Sequence, residues 1–171
     1  MFNIFKVRLG KGVVAQSIDA ASRAPSVESV GAELHSLIIR KFGRSLNIRE
    51  VDTGSCGACE SEIISTTNPI YDVQRFGIQF VASPRHADAL MVTGPVSKNM
   101  VVALQKTYQA MPEPKFVIAL GDCAKDGGPF KGSYYVENGI ASIVPVVLTI
   151  PGCPPSPVTI MQSLLAFLKA E

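Results

Sequence analysis

The stretch that decides the fold runs from residue 47 to residue 60 and reads Asn47-Ile-Arg-Glu-Val-Asp-Thr-Gly-Ser-Cys56-Gly-Ala-Cys59-Glu60. Residues 47–51 are typical of a strand, and the glycine-rich turn after them carries a Cys-x-x-Cys pair. Residues 58–65 favour a helix with Glu60 in its first turn, where a carboxylate interacts well with the positive end of the helix dipole. A strand, a cysteine turn and a helix predict one unit of an α/β fold.

Outside this stretch, short apolar runs alternate with helical segments. Helices are predicted over residues 98–110 and 158–169. Strands are predicted over residues 78–82, 89–92, 115–120 and 143–150, the last interrupted by Pro145. Short, continuously apolar strands that alternate with helices are typical of a parallel sheet covered on both faces. The sequence therefore predicts a doubly wound α/β fold.

The other two cysteines are isolated and also lie in glycine-containing turns, Gly121-Asp122-Cys123 and Gly152-Cys153-Pro154. Cys56, Cys123 and Cys153 each follow a predicted strand, and the loops after parallel strands lie along one edge of the sheet. Four thiolates are the ligand set of a [4Fe–4S] cluster. The glycines, among them Gly57 and Gly152, are expected to bring free N–H groups close to such an anionic cluster.

Three other interpretations of the cysteines compete with the cluster. Disulfides are disfavoured because the start of the chain does not read as a cleavable signal, and thiols of a cytosolic chain stay reduced. Structural zinc usually takes two local pairs of ligands, whereas Cys123 and Cys153 are far apart and the histidines are only His35 and His86. Unrelated core cysteines would not need flanking glycines. The pattern favours iron–sulfur over zinc, and zinc over the rest.

Length and composition indicate one globular α/β domain, over residues 46–171, with an N-terminal extension, residues 1–45. Val30, Leu34, Leu37 and Ile38 recur at helical spacing in the extension, which predicts an amphipathic helix between Ser26 and Gly43. The net charge is +2, so no nucleic-acid partner is expected. No apolar stretch approaches the roughly 20 residues that span a bilayer.

Five motifs together resemble a known family: Ser55-Cys56-Gly57-Ala58-Cys59-Glu60, Ser83-Pro84-Arg85-His86-Ala87-Asp88, Met111-Pro112-Glu113-Pro114-Lys115, Gly121-Asp122-Cys123-Ala124-Lys125-Asp126-Gly127-Gly128 and Pro151-Gly152-Cys153-Pro154-Pro155. They are similar to the small, cluster-carrying subunit of membrane-bound, energy-converting [NiFe] hydrogenases. The same family includes the 20 kDa subunit of respiratory complex I. The resemblance implies a flavodoxin-like fold and one [4Fe–4S] cluster on Cys56, Cys59, Cys123 and Cys153.

The resemblance also implies a role and partners. The chain would relay electrons between a ferredoxin-like two-cluster subunit and a [NiFe]-type catalytic large subunit, at the cytoplasmic face of the membrane. With its four cysteines on the cluster, it would belong to an oxidoreductase without being catalytically competent alone. A membrane subunit related to the quinone-site subunit of complex I would be the third partner, and the helix of the extension would lie against it. Packing of that helix onto its own domain is the alternative.

Further residues are expected around the cluster. Gly57, Glu60, Arg85, His86 and Gly152 are candidates, with His86 expected near the cluster or the large subunit, although ordinary surface polarity also explains Arg85 and His86. For Glu60 the alternative is a favourable charge in the first turn of its helix.

One departure separates the two branches of the resemblance. Complex I homologues carry two adjacent cysteines where this chain has Ser55-Cys56, and they lack the second cysteine of the pair. The chain is therefore similar to the hydrogenase branch, the type of formate hydrogenlyase and of the Ech and Mbh enzymes. A complex I-like oxidoreductase that uses a quinone or a sulfur compound stays open as the alternative.

Overall fold

The computed structural model of the protein describes residues 26–170. Within that range the strands are β1 (Leu46–Asp52), β2 (Ile78–Phe80), β3 (Ala89–Thr93), β4 (Phe116–Leu120) and β5 (Leu148–Ile150). The α-helices are α1 (Val27–Phe42), α2 (Ala58–Thr66), α3 (Val101–Ala110), α4 (Gly121–Asp126) and α5 (Pro157–Ala170). Residues 1–25 of the expected extension lie outside the described residues.

The strands form one sheet in the order β2-β1-β3-β4-β5, and every neighbouring pair is parallel. This is the strand order of flavodoxin-like doubly wound folds, in which the chain adds β2 on one side of β1 and then adds β3, β4 and β5 on the other side. The predicted fold class is confirmed. All five strands therefore end at the same edge of the sheet, which we call the carboxyl edge.

Both faces of the sheet are covered by helices. Along the fully buried β3, Ala89 and Met91 join the core formed with α1 and α5, whereas Leu90 and Val92 join the core formed with α3. Successive side chains of a strand point to opposite faces, so a strand buried on both faces reads as a continuous apolar run.

One predicted strand is much shorter than expected. Residues 143–150 were predicted as a strand, but β5 contains only Leu148–Ile150. The N–H groups of Ile143 and Val144 donate to the carbonyl of Ile140 in a turn, and Pro145 has no N–H for a sheet ladder. β5 is consequently a short strand at the edge of the sheet.

The predicted helix of the extension is confirmed as α1. The hydroxyl of Ser26 accepts a hydrogen bond from the N–H of Ser29 at 3.2 Å, and Gly43 ends the helix with φ +67°. These are the expected N-cap and left-handed C-terminal glycine.

The apolar side of α1 packs onto its own domain, so the expectation that this side lies against a membrane subunit is wrong. Leu34 and Ile38 are 0% exposed and Leu37 is 7% exposed, all within the core shared with α5 and the sheet. Lys169 at the end of α5 adds an ion pair to Glu33 at 2.7 Å. The apolar side of α1 covers its own domain because the sheet face beneath it would otherwise expose apolar strands.

Because one face of α1 is buried and the other is exposed, substitutions on the two faces should change the free energy of unfolding by different amounts. Leu34→Asp should lower the free energy of unfolding by roughly 3–5 kcal/mol, because it removes a buried side chain and leaves a charge in the core. Ile39→Asp, at a position that is 44% exposed, should change it by less than about 0.5 kcal/mol. Urea unfolding followed by circular dichroism measures both, and equal destabilisation would contradict the assigned inner face.

Candidate metal centre

The four cysteines lie in three loops at the carboxyl edge. Cys56 is in the turn after β1, Cys59 is in the first turn of α2, Cys123 is in α4 directly after β4, and Cys153 follows β5. Cys59 and Cys123 are buried, whereas Cys56 and Cys153 are exposed. The prediction that the cysteine loops share one edge is confirmed, and the parallel pairing of the strands is the reason.

A close backbone approach joins the second cysteine of the pair to the loop after β4. A Cβ atom placed on Gly121, whose φ is +86°, would stand 2.8 Å from the Sγ of Cys59. On the other side of that loop, a Cβ atom on Gly128 would stand 3.1 Å from the Sγ of Cys123. The two buried sulfurs thus pack against glycine backbone, which only a residue without a side chain allows.

The glycine N–H groups have a different task from the expected one. Gly54 and Ser55 donate their N–H groups to Oδ1 of Asp52 at 2.8 and 2.7 Å, and Gly57 donates to the hydroxyl of Ser55 at 3.0 Å. Gly152 donates to Oδ1 of Asp122 at 2.9 Å. The expectation that these glycines present free N–H groups is wrong for Gly54, Gly57 and Gly152, because side chains of the loops accept their hydrogen bonds.

The acceptors Asp52, Ser55 and Asp122 were not singled out from the sequence. Asp52 had a readable signal, since an aspartate two residues before a glycine favours a turn in which its carboxylate accepts the following N–H groups. Asp122 had none, because its partner Gly152 is 30 residues away along the chain.

The thiols influence one another electrostatically. Burial raises the pKa of the Cys59 thiol to about 12, with the negative charges of Glu60, Cys123, Cys56 and Cys153 adding to the effect. Burial also raises the pKa of Cys123, followed by the charges of Cys153 and Cys56. Without metal, Cys59 is therefore protonated at neutral pH. A metal that binds these sulfurs as thiolates must displace protons and offset the mutual repulsion of the anions.

The donor set fits an iron–sulfur cluster by its chemistry. Cys56, Cys123 and Cys153 lie close enough to Cys59 for each of them to raise the pKa of its thiol. Together the four cysteines offer thiolates, which are the ligands that such clusters take. Within residues 26–170, no three Cys, His, Asp or Glu side chains are grouped as the ligands of a single metal ion. The structure thus brings the predicted cysteines to one edge without showing a closed set of ligands.

Glu60 lies beside the cysteines, and Glu50 lies near Glu60. Glu60 is in the first turn of α2, and among the described residues neither of its buried carboxylate oxygens has a hydrogen-bond partner. The pKa of Glu50 is raised, first by burial and then by the charges of Glu60 and Asp52. The neighbourhood of Cys59 is therefore acidic as well as buried.

Arg85 and His86 are not brought to the cysteines. They form a short turn, Pro84–His86, that immediately precedes β3, and they line a cavity of about 280 Å³ with Arg44, Asn47 and Pro112. These residues sit where strands begin, so the length of β3, about 15 Å, separates them from the carboxyl edge. The expectation that His86 stands near a cluster is not met.

Comparisons with known proteins show which family the chain is similar to. The family model of the NADH ubiquinone oxidoreductase 20 kDa subunit matches residues 56–167. Formate hydrogenlyase subunit 7 of Escherichia coli is 42% identical over 132 residues, which are 77% of this chain and 52% of that protein. The probable membrane-bound hydrogenase subunit mbhJ of Pyrococcus furiosus is 42% identical over 128 residues, 75% of this chain and 77% of that one. The chain thus spans about half the length of the first relative.

A solved structure shows the same fold. A chain of the archaeal membrane-bound sulfane sulfur reductase superposes with a TM-score of 0.66 at 30% identity, covering 80% of this chain and 75% of that one. That protein is described as a respiratory membrane complex. Within residues 26–170 of the present chain, no helix is both long and apolar enough to cross a membrane.

The contact between Gly121 and Cys59 can be tested with a matched pair of variants. Gly121→Ala should lower the free energy of unfolding by about 2–4 kcal/mol, from left-handed backbone strain and the clash with the sulfur. Gly132→Ala has a similar φ, +81°, but no atom within 4 Å of the new methyl group. It should cost only the strain, about 1–2 kcal/mol. Denaturant midpoints measure both, and equal values would contradict the contact.

Proposed function

The chain belongs to the family of the NADH ubiquinone oxidoreductase 20 kDa subunit, and from this membership and its four clustered thiols we propose that it is an electron-transfer subunit that carries one [4Fe–4S] cluster. The observation that carries the proposal is the meeting of Cys56, Cys59, Cys123 and Cys153 at one edge of a parallel sheet. A bound [4Fe–4S] cluster accepts and releases single electrons. The family is one of oxidoreductase complexes, so the chain would serve a reaction completed elsewhere.

The chain's own residues would divide the work of holding the cluster. Cys59 and Cys123 are buried and would hold the inner side, where Gly121 and Gly128 pack against their sulfurs and keep water out. Cys56 and Cys153 are exposed and would hold the side that faces a partner. Glu60, Asp122 and Asp126 place negative charge near these sulfurs, which disfavours adding an electron and so lowers the reduction potential.

We propose the hydrogenase type of complex as the setting. The two relatives described above are named as a subunit of formate hydrogenlyase and a probable subunit of a membrane-bound hydrogenase, and the Cys56-x-x-Cys59 spacing points the same way. The cluster would pass electrons between a ferredoxin-like two-cluster subunit and a [NiFe]-type large subunit, next to a membrane subunit at the cytoplasmic face. Because all four cysteines hold the cluster, the chain has none left for a nickel–iron centre and would not activate hydrogen alone.

A second setting has its own support. The matching solved structure comes from a complex described as a sulfane sulfur reductase, so a complex I-like oxidoreductase that uses a sulfur compound or a quinone is the alternative. The neighbouring genes distinguish the two settings. A large subunit with two Cys-x-x-Cys pairs indicates a hydrogenase, and a large subunit without them indicates the alternative.

The test of the proposed function is the cluster itself. The chain, co-expressed with a candidate large subunit and purified without oxygen, should show broad visible absorption that dithionite bleaches, and a reduced-state EPR signal of one [4Fe–4S] cluster. Replacing Cys56, Cys59, Cys123 or Cys153 singly by Ala should remove or alter that signal, since each supplies one ligand. Ser36→Ala, on the exposed side of α1, is the control and should leave it unchanged.

Two results would speak against the proposal. A colourless protein with zinc would identify a zinc-stabilised interaction module without a redox role. Full iron and an unchanged EPR signal in any one of the four variants would remove that cysteine from the ligand set.

A further inference from the structure

The loops that carry the two isolated cysteines are tied together by a pair of hydrogen bonds. The N–H of Asp122 donates to the carbonyl oxygen of Gly152 at 2.9 Å, and the N–H of Gly152 donates to Oδ1 of Asp122 at 2.9 Å. Each of these residues directly precedes a cysteine, Cys123 or Cys153. The two bonds therefore connect the backbone immediately next to two sulfurs that come from distant parts of the chain.

We propose that Asp122 is a positioning residue of the cluster site, whose carboxylate sets the spacing between Cys123 and Cys153 by holding the turn at Gly152. This inference rests on the proposed function, because the spacing has a purpose only if both cysteines bind the same group. Asp122 would touch the protein backbone rather than the cluster.

The sheet alone restrains the loop of Cys153 weakly. β5 has three residues and lies at the edge of the sheet, where β4 is the one strand of residues 26–170 that pairs with it. Gly152 has φ +137°, a conformation that glycine adopts readily and also leaves readily. The Asp122 carboxylate accepts the hydrogen bond that fixes this glycine. Without the carboxylate, the Gly152 N–H would lose its acceptor, and the bond from the Asp122 N–H to the Gly152 carbonyl would be the one left of the pair.

The acceptor, rather than the charge, is the useful property of Asp122. Its negative charge is among the causes that raise the pKa of the Cys123 thiol, so the charge opposes the thiolate that a metal requires. A neutral group that still accepts the Gly152 N–H should hold the turn equally well. Asparagine offers such an oxygen at the same position in the side chain.

The experiment compares three variants in the co-expressed, anaerobically purified complex. Asp122→Ala removes the acceptor, and Asp122→Asn keeps the acceptor but removes the charge. Asp126→Asn is the matched control, because Asp126 lies in the same helix, its charge also raises the pKa of Cys123, and asparagine removes that charge while keeping an acceptor oxygen. Among the described residues, Asp126 accepts hydrogen bonds from the Gly128 N–H and from Lys131, both in its own loop. The measurements are iron content, the rate of iron release to a chelator, the EPR line shape and the reduction potential.

We expect Asp122→Ala to release iron about tenfold faster than the parent protein, the effect of losing one hydrogen bond to a charged acceptor. Asp122→Asn should restore the parent rate and line shape while shifting the reduction potential upward, since a negative charge near the cluster is gone. Asp126→Asn, which keeps the acceptor for the Gly128 N–H, should release iron at close to the parent rate.

Three results would overturn the inference. They are parent-like iron release from Asp122→Ala, equally fast release from Asp126→Asn, and loss of iron from an assembled Asp122→Asn protein. If Asp122→Ala fails to assemble, Asp122→Asn decides the question, because its full iron and parent line shape support the bond and its iron loss contradicts it. A parent protein without any cluster would instead count against the proposed function.

Discussion

The parallel pairing of the strands is the constraint on which the candidate site depends. It makes β1, β4 and β5 end at one edge, so loops from three distant parts of the chain meet there. Buried strands fix this register because both of their faces are covered by apolar cores. Anything that loosened the sheet, such as a charge beneath α1, would therefore also move the cysteines relative to one another.

The carboxyl edge places the cysteine sulfurs in an acidic, partly buried environment. Asp52, Ser55 and Asp122 accept the N–H groups of the turn glycines Gly54, Gly57 and Gly152, so these donors stabilise the turns and are not free for the sulfurs. Burial and the surrounding carboxylates are the remaining means by which this chain would adjust a bound cluster. Both would favour a low reduction potential in a bound cluster.

Much of the fold was readable from the sequence because its signals are local. The apolar run Ala89–Thr93 and the cap at Ser26 each determine their element with nearby residues, and the cysteine turns follow strands as predicted. Packing between distant elements was not readable. The amphipathic pattern of Leu34 and Leu37 revealed an apolar face without revealing what covers it. The pairing of Asp122 with Gly152 depends on the order of strands in the sheet, and so does the place of His86 at the opposite edge.

The most direct test of the central claim is a cryo-electron microscopy map of the assembled complex that contains this chain. We expect one compact density at the carboxyl edge that contacts the sulfurs of Cys56, Cys59, Cys123 and Cys153 and has the size of a four-iron cubane. A density bound by fewer of these sulfurs, a single ion among them, or a disulfide between any two of them would contradict it.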